Sequence, residues 1–241
     1  MKTAFKMLLL ALPLLVIACK EETDPQDQVK IERLRFSPVE NERWVYKVAV
    51  TLDPSARNED GKIESGSEGV TSSYEKVRRY LGAKPVQEGS EVLADCFEVS
   101  KAGKVEELEF NQMTEEGLVT LAWQEKGGER LVLAEPVLVF PAKKVPGSLW
   151  ALSQPNPNDP DGHPMFSRQF QYFGIEEVEV MGDTRKAHRV KIVGRTGQFG
   201  IQRDLWFVNQ LGIVKERVAR YGGKKRLALF EEVLVAHERP E

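Results

Sequence analysis

From Glu32 onward, apolar and polar positions alternate with a period of two, the signature of half-buried strands. Trp44, Tyr46, Val48, Val50 and Leu52 share one face of a strand, and Val45, Lys47, Ala49 and Thr51 share the other. Short runs of the same kind follow at Leu93–Val99, Val105–Phe110, Leu118–Trp123 and Arg130–Leu133. They are joined by turn chemistry at Lys101–Lys104, Thr114–Gly117 and Glu125–Gly128. The second half repeats the style at Ile175–Val180, Ala187–Val193, Gln202–Val208, Ile213–Tyr221 and Arg226–Ala236, with Gly182, Gly194, Gly197, Gly212 and Gly222-Gly223 as punctuation. Connections this short suit antiparallel neighbours, because parallel strands need crossovers of about a dozen residues or more.

Three stretches depart from the pattern. Asp53–Gly69 is rich in Ser, Asn, Asp, Glu and Gly and reads as a long loop. Ser72-x-x-Glu75 forms a capping box, and Val70, Tyr74, Val77 and Leu81 have helical spacing, so the local pattern predicts a helix over 70–81. Pro136, Pro141 and Pro146 confine any strand in the middle of the chain to a sheet edge, and Pro155–Pro164 reads as a loop.

The N-terminus reads as a targeting signal. Lys2 and Lys6 precede an apolar run, Met7–Ile17, which is far shorter than the roughly 20 residues that a membrane-spanning helix needs. The run ends in Val16-Ile17-Ala18-Cys19, which resembles the lipobox of bacterial lipoproteins. Small Ala18 admits a peptidase, and the Cys19 thiol is the nucleophile that takes the diacylglycerol. Two or three acyl chains, at about 0.8 kcal/mol per buried methylene, then hold the protein on a membrane. The expected organisation is a lipoprotein signal peptide at 1–18, a lipidated cysteine and flexible tether at 19–30, and a single β-rich domain at 31–241. Lys20 in place of an Asp after the cysteine favours the outer membrane, by resemblance to the enterobacterial sorting rule. A tether of about ten residues reaches roughly 18 Å on average, which keeps the body near the bilayer.

Composition removes some functions. Lys plus Arg number 34 against 37 Asp plus Glu, for a net charge of −3, and loss of Lys2 and Lys6 with the signal takes it to −5. Nucleic-acid binding is therefore not expected. With Cys19 lipidated, Cys96 has no intramolecular partner and is expected to be a small buried apolar group. The loop Asn156, Asn158, Asp159, Asp161, Gly162 is the best candidate for calcium, but the EF-hand register that places Gly162 sixth puts Pro157 first and Arg168 twelfth. His163, His188 and His237 have no paired spacing, and His188 alternates with Val190 and Ile192 as a partly buried strand residue would. Glu106-Glu107 and Glu231-Glu232 place neighbours on opposite strand faces, a poor arrangement for a catalytic dyad. Trp44, Trp123, Trp150 and Trp206 fit a core better than a ligand cleft. No catalytic residue, cofactor or metal site is expected.

The phrases Trp44-x-Tyr46, Tyr80-Leu81-Gly82, Cys96-Phe97-Glu98-Val99, Thr114–Leu118, Pro146-Gly147-x-x-Trp150 and Leu205-Trp206-Phe207 before Leu211–Lys215 occur in that order. The order resembles exported bacterial proteins and lipoproteins of the TapB-like and DUF3108 type. That resemblance implies an all-β, mainly antiparallel fold, a strongly curved sheet or half-barrel, and turns the 70–81 segment from helix to strand. It implies no enzyme activity. The functional expectation is a membrane-anchored lipoprotein of the cell envelope, acting as a non-enzymatic binding or assembly module on an envelope protein or lipid. The alternatives are a carrier of an apolar or lipid ligand in the curved sheet and, last, a hydrolase.

Overall fold

The computed structural model describes residues 34–53, 71–143, 145–155, 164–196 and 199–240. The signal peptide, Cys19 and the tether lie outside the described residues, as do the Asp53–Gly69 loop beyond Asp53, His163, Gly197 and the candidate calcium loop.

Within these limits the chain is all-β and antiparallel. Six strands run outward from the N-terminal side: β1 (Arg43–Leu52), β2 (Thr71–Pro85), β3 (Leu93–Lys101), β4 (Lys104–Met113), β5 (Gly117–Glu125) and β6 (Arg130–Pro141). Six more return: β7 (Leu149–Pro155), β8 (Pro164–Val180), β9 (Asp183–Thr196), β10 (Phe199–Val208), β11 (Gly212–Gly222) and β12 (Lys225–Glu238). Every strand pairs with its neighbour in sequence except β6 with β7, and β1 pairs with β12. The result is one strongly curved, nearly closed sheet with a seam between β6 and β7. The Trp150 indole N–H spans the seam to the Leu138 carbonyl at 2.9 Å. Pro136 and Pro141 lie in one edge strand and Pro155 in the other, as the missing N–H of proline requires.

The segment whose local pattern predicts a helix is strand β2 from Thr71 onward, as the resemblance implies. Tyr74, Lys76 and Arg78 of β2 stand opposite Val48, Tyr46 and Trp44 of β1 and face inward with them. Charged residues thus occupy the buried face, so the alternation of apolar and polar positions vanishes there and the helical spacing is incidental. No strand is expected from the sequence at β7 or over the first half of β8, where Phe166, Phe170 and Tyr172 alternate with Ser167, Gln169 and Gln171 and Arg168 interrupts the apolar face.

The core fills one end of the curved sheet. Phe36, ahead of β1, lies 5.8–5.9 Å from the rings of Trp44, Phe97 and Phe207, and Tyr80 and Phe140 extend the cluster. Two hydrogen bonds hold this segment, Arg35 N–H to Asn209 Oδ1 at 2.8 Å and Gln210 N–H to the Arg35 carbonyl at 2.7 Å. Gly212 makes room for it, since it has φ +83° and a Cβ there would sit 2.8 Å from the Phe36 ring. A smaller cluster of Cys96, Phe110, Ala122, Ala94 and Val86 lies on the outer face, where burial pushes the Cys96 thiol up from its ordinary range.

Trp206 is buried, with 6% exposure, although it faces away from Leu205 and Phe207. Its cover is charged. Arg189 and Lys215 stand 5.2 and 5.0 Å from the ring, and Glu176 accepts its indole N–H. Trp206→Ala is expected to cost about 3–5 kcal/mol, a large part of a typical total of roughly 5–15 kcal/mol. A urea melt of the mature protein checks this, and an unchanged midpoint would remove Trp206 from the fold's essential contacts.

Candidate functional site

The other half of the enclosed space is lined with charge. Strand alternation aims Lys76 and Arg78 (β2), Glu107 and Glu109 (β4), Arg168 (β8), Arg203 (β10), Glu216 (β11) and Glu232 (β12) inward. Two adjoining cavities of about 250 and 270 Å³ lie among them and share Glu107, Glu109, Arg168, Ile192 and Arg203 as walls. The first lies toward the strand ends that carry the β3–β4 and β11–β12 turns, away from the aromatic cluster.

Most of these charges are matched. Arg78 reaches Glu109 Oε2 through its Nη2 at 2.9 Å and its Nε at 3.0 Å, while its guanidinium lies 3.6 Å from the centre of the Phe97 ring. Arg203 grips Glu216 with two prongs, Nε to Oε1 and Nη2 to Oε2 at 2.9 Å. Lys76 pairs with Glu232, and both side chains are nearly buried, at 14% and 11% exposure. Burial pushes the Glu109 and Glu216 carboxyls up, but Arg78 beside the first and Arg203 beside the second outweigh it and hold both below the ordinary carboxylate range. Burial works against the charge of Lys76, and Glu232 overrides it and raises the ammonium's pKa.

Other groups are strained. Glu107 is raised by burial and by the neighbouring Glu109, and Glu232 by burial and Glu216. Glu107 also stands directly opposite Glu125 in the β4–β5 ladder, a like-charge pair. Burial and the adjacent Arg203 cation hold the Arg168 guanidinium down at about 10.

The residues singled out from sequence are mostly elsewhere. His188 Nδ1 lies 2.8 Å from the Tyr172 hydroxyl, and His237 Nε2 lies 2.6 Å from Glu42 Oε1, its ring stacked on Trp44. Neither lines either of these two cavities. Trp44 is core and Trp150 stacks on Phe170 at 5.2 Å, whereas Trp123 does line the second cavity. Glu107 and Glu232 point inward and their neighbours Glu106 and Glu231 do not, as alternation requires. Glu107 and Glu232 both face the lumen, from different strands. The lumenal cations and Glu109 and Glu216 escaped sequence reasoning altogether. The available signal was parity, since Arg203 shares the strand face of Leu205 and Phe207. Among the described residues the cavity walls carry no histidine, cysteine or serine, and no cluster of three or more metal-ligating side chains occurs.

Lys76→Met leaves Glu232 buried without its counter-ion and is expected to cost about 3–5 kcal/mol in a urea melt. Adding Glu232→Leu should recover most of that loss; a double variant as unstable as the single one would contradict the pairing. Glu107 acts with the opposite sign. Its folded pKa is raised, so its contribution is fully present below the unfolded pKa and is lost as pH rises through the folded one. Glu107→Gln is therefore expected to raise Tm at pH 7 by about 2–4 °C and to match the parent near pH 4. Thermal melts at both pH values check the sign.

No family model matches the chain, and no curated protein matches it. The resemblance to TapB-like and DUF3108-type proteins rests on the sequence motifs alone. Among solved structures the chain is similar to a Bacteroides fragilis protein described as exported and of YMCC-like fold, at 14% identity over 86% of this chain and 100% of that one, with a TM-score of 0.38. It is also similar to a protein of Parabacteroides distasonis described as a lipoprotein, at 12% identity over 86% of this chain and 99% of that one, with a TM-score of 0.36.

Proposed function

We propose that the chain is a lipid-anchored protein of the bacterial cell envelope that acts as a non-enzymatic binding module.

 It binds rather than transforms its ligand, and the bilayer is its first partner, through acyl chains on Cys19. The observation that carries this reading is the lumen itself. Three pairs of its buried ionisable groups are matched, Lys76 with Glu232, Arg78 with Glu109 and Arg203 with Glu216, an arrangement that shapes a cavity and, among the described residues, leaves no activated nucleophile aimed into it.

The same observation weighs against the carrier of an apolar or lipid ligand, which needs a dry concave wall. Here aromatic side chains occupy one half of the interior and charges line the other. The cavity carboxylates set apart in pKa, Glu107 from Glu109 and Glu232 from Glu216, do not favour the hydrolase reading, because Glu109, Glu216 and Glu232 are each engaged by a cation. Anchoring rests on the Val16-Ile17-Ala18-Cys19 motif, and Lys20 favours the outer membrane.

Cys19→Ala is expected to give a folded protein that moves from the membrane fraction to the soluble fraction. Retention of the variant in the membrane after a high-salt wash would contradict the anchoring.

A further inference from the structure

We propose that the end of the barrel where the chain enters it is a membrane-docking rim, which seats Val92, Leu93, Val145, Leu149 and Met181 in the interfacial layer of the bilayer that holds the lipid anchor. The inference rests on the reading of Cys19 as lipidated and names the face of the body that meets the membrane.

Topology collects these residues. In an antiparallel meander, successive connections alternate between the two ends of the sheet. β1 starts at the end that carries Phe36, so the β2–β3, β6–β7 and β8–β9 connections lie there as well. Val92 and Leu93 stand where the first of them enters β3, Val145 and Leu149 where the second leads into β7, and Met181 at the tip of the third. Single exposed apolar residues are ordinary on a protein surface. Here the four most exposed large apolar side chains among the described residues, Leu149, Val145, Val92 and Leu93, all fall at one end, between 52 and 72% exposed.

Met181 adds an independent observation. Val180 ends β8 and Asp183 begins β9, so Met181-Gly182 is a two-residue hairpin turn, with φ of +52° and +84°. Turns with both φ values positive favour Asn, Asp or Gly at the first position, because these tolerate a left-handed backbone. Methionine has no such advantage, and it places a flexible apolar side chain, itself exposed, at the outermost point of the hairpin.

The occupant follows from where the chain comes from. Leu34 is the first described residue of the body, and Arg35 after it is bonded to Asn209 and Gln210 of the β10–β11 turn, at this same end. Fifteen positions separate Leu34 from Cys19, and even fully extended they span no more than about 50 Å. An anchor that short draws this end to the bilayer and leaves the end nearer the first charged cavity facing away. Charge of one sign does not guide the contact, since the β2–β3 turn carries Glu88 and Glu91 and the β6–β7 connection carries Lys143. Apolar burial is the interaction available, and the boundary between headgroups and acyl chains, roughly 5–10 Å deep, accepts side chains of this size.

The test uses the mature lipidated protein in phosphatidylcholine vesicles. Val92→Cys, Leu149→Cys and, at the opposite end, Leu52→Cys each take an environment-sensitive fluorescent label, while buried Cys96 stays unlabelled. A phospholipid with a nitroxide near the top of its acyl chain is the quencher. The labels at positions 92 and 149 are expected to shift to the blue and to be quenched, and the label at position 52 to do neither. High salt, which screens attraction between charges, should leave the quenching in place. Adding Val145→Asn and Met181→Asn should reduce the quenching at both positions. The proposal is overturned if positions 92 and 149 are quenched no more than position 52, if high salt releases them, or if the added substitutions change nothing. It is also overturned if the labels escape the quencher and transfer energy between copies, which would make this end a self-association surface. Flotation with the vesicles reports the anchor separately: flotation without quenching removes the rim and spares the anchoring, and loss of flotation overturns both.

Discussion

The pairing of β1 with β12 is the constraint on which the rest depends. All other ladders in the sheet are made by strands adjacent in sequence, through hairpins or longer local connections. Only this one joins the two ends of the body, from Arg43 opposite Glu238 to Leu52 opposite Ala228. Its partners are up to 195 positions apart, so it carries the largest loop-closure entropy in the fold. Once formed, it places Trp44 and Tyr46 where they donate to the carbonyls of Leu211 and Ile213 at 2.7 and 2.8 Å, which ties β1 to the far side of the β10–β11 turn. It also brings Lys76 of β2 within reach of Glu232 of β12, across β1 between them.

The seam follows from the same topology. With the chain ends paired, the two free edges fall in the middle of the sequence, at β6 and β7, and that is where the prolines gather. A proline there forfeits no ladder bond that an inner strand would need. The Trp150 hydrogen bond to Leu138 narrows the seam without turning it into a ladder. The interior divides its labour along the barrel. Aromatic burial around Phe36 supplies cohesion at one end, while the ion pairs at the other hold cavity walls apart. Buried pairs contribute little net stability because desolvation offsets attraction, so their value here lies in fixing the shape and charge of the lumen.

Much of this architecture was legible in the sequence. The alternation from Trp44 to Leu52 marked the face that turns inward, short glycine turns marked antiparallel hairpins, and the prolines marked the edges. Strand β2 was not legible, because Lys76 and Arg78 stand where an apolar residue is expected and Ser72 and Glu75 imitate a helix cap. Strand β7 is short and lies among prolines, and at the start of β8 the inward charge of Arg168 interrupts the apolar face of Phe166, Phe170 and Tyr172. The candidate site was almost wholly hidden. A charge inside a barrel and a charge on its surface look alike in sequence until register shows which parity faces inward, and only the company of Arg203 with Leu205 and Phe207 hinted at it. Cys96 was read as a small buried group, and it lies buried in the outer apolar cluster.

Amide hydrogen exchange, followed strand by strand in the mature protein, tests the central claim most directly. If the β1–β12 ladder holds the barrel together, the inner amides of Val45–Val50 and their β12 partners exchange last, through global unfolding alone, and those of β6 and β7 exchange well before them. Protection of β6 and β7 equal to that of β1, or release of β1 and β12 ahead of the seam, would contradict it.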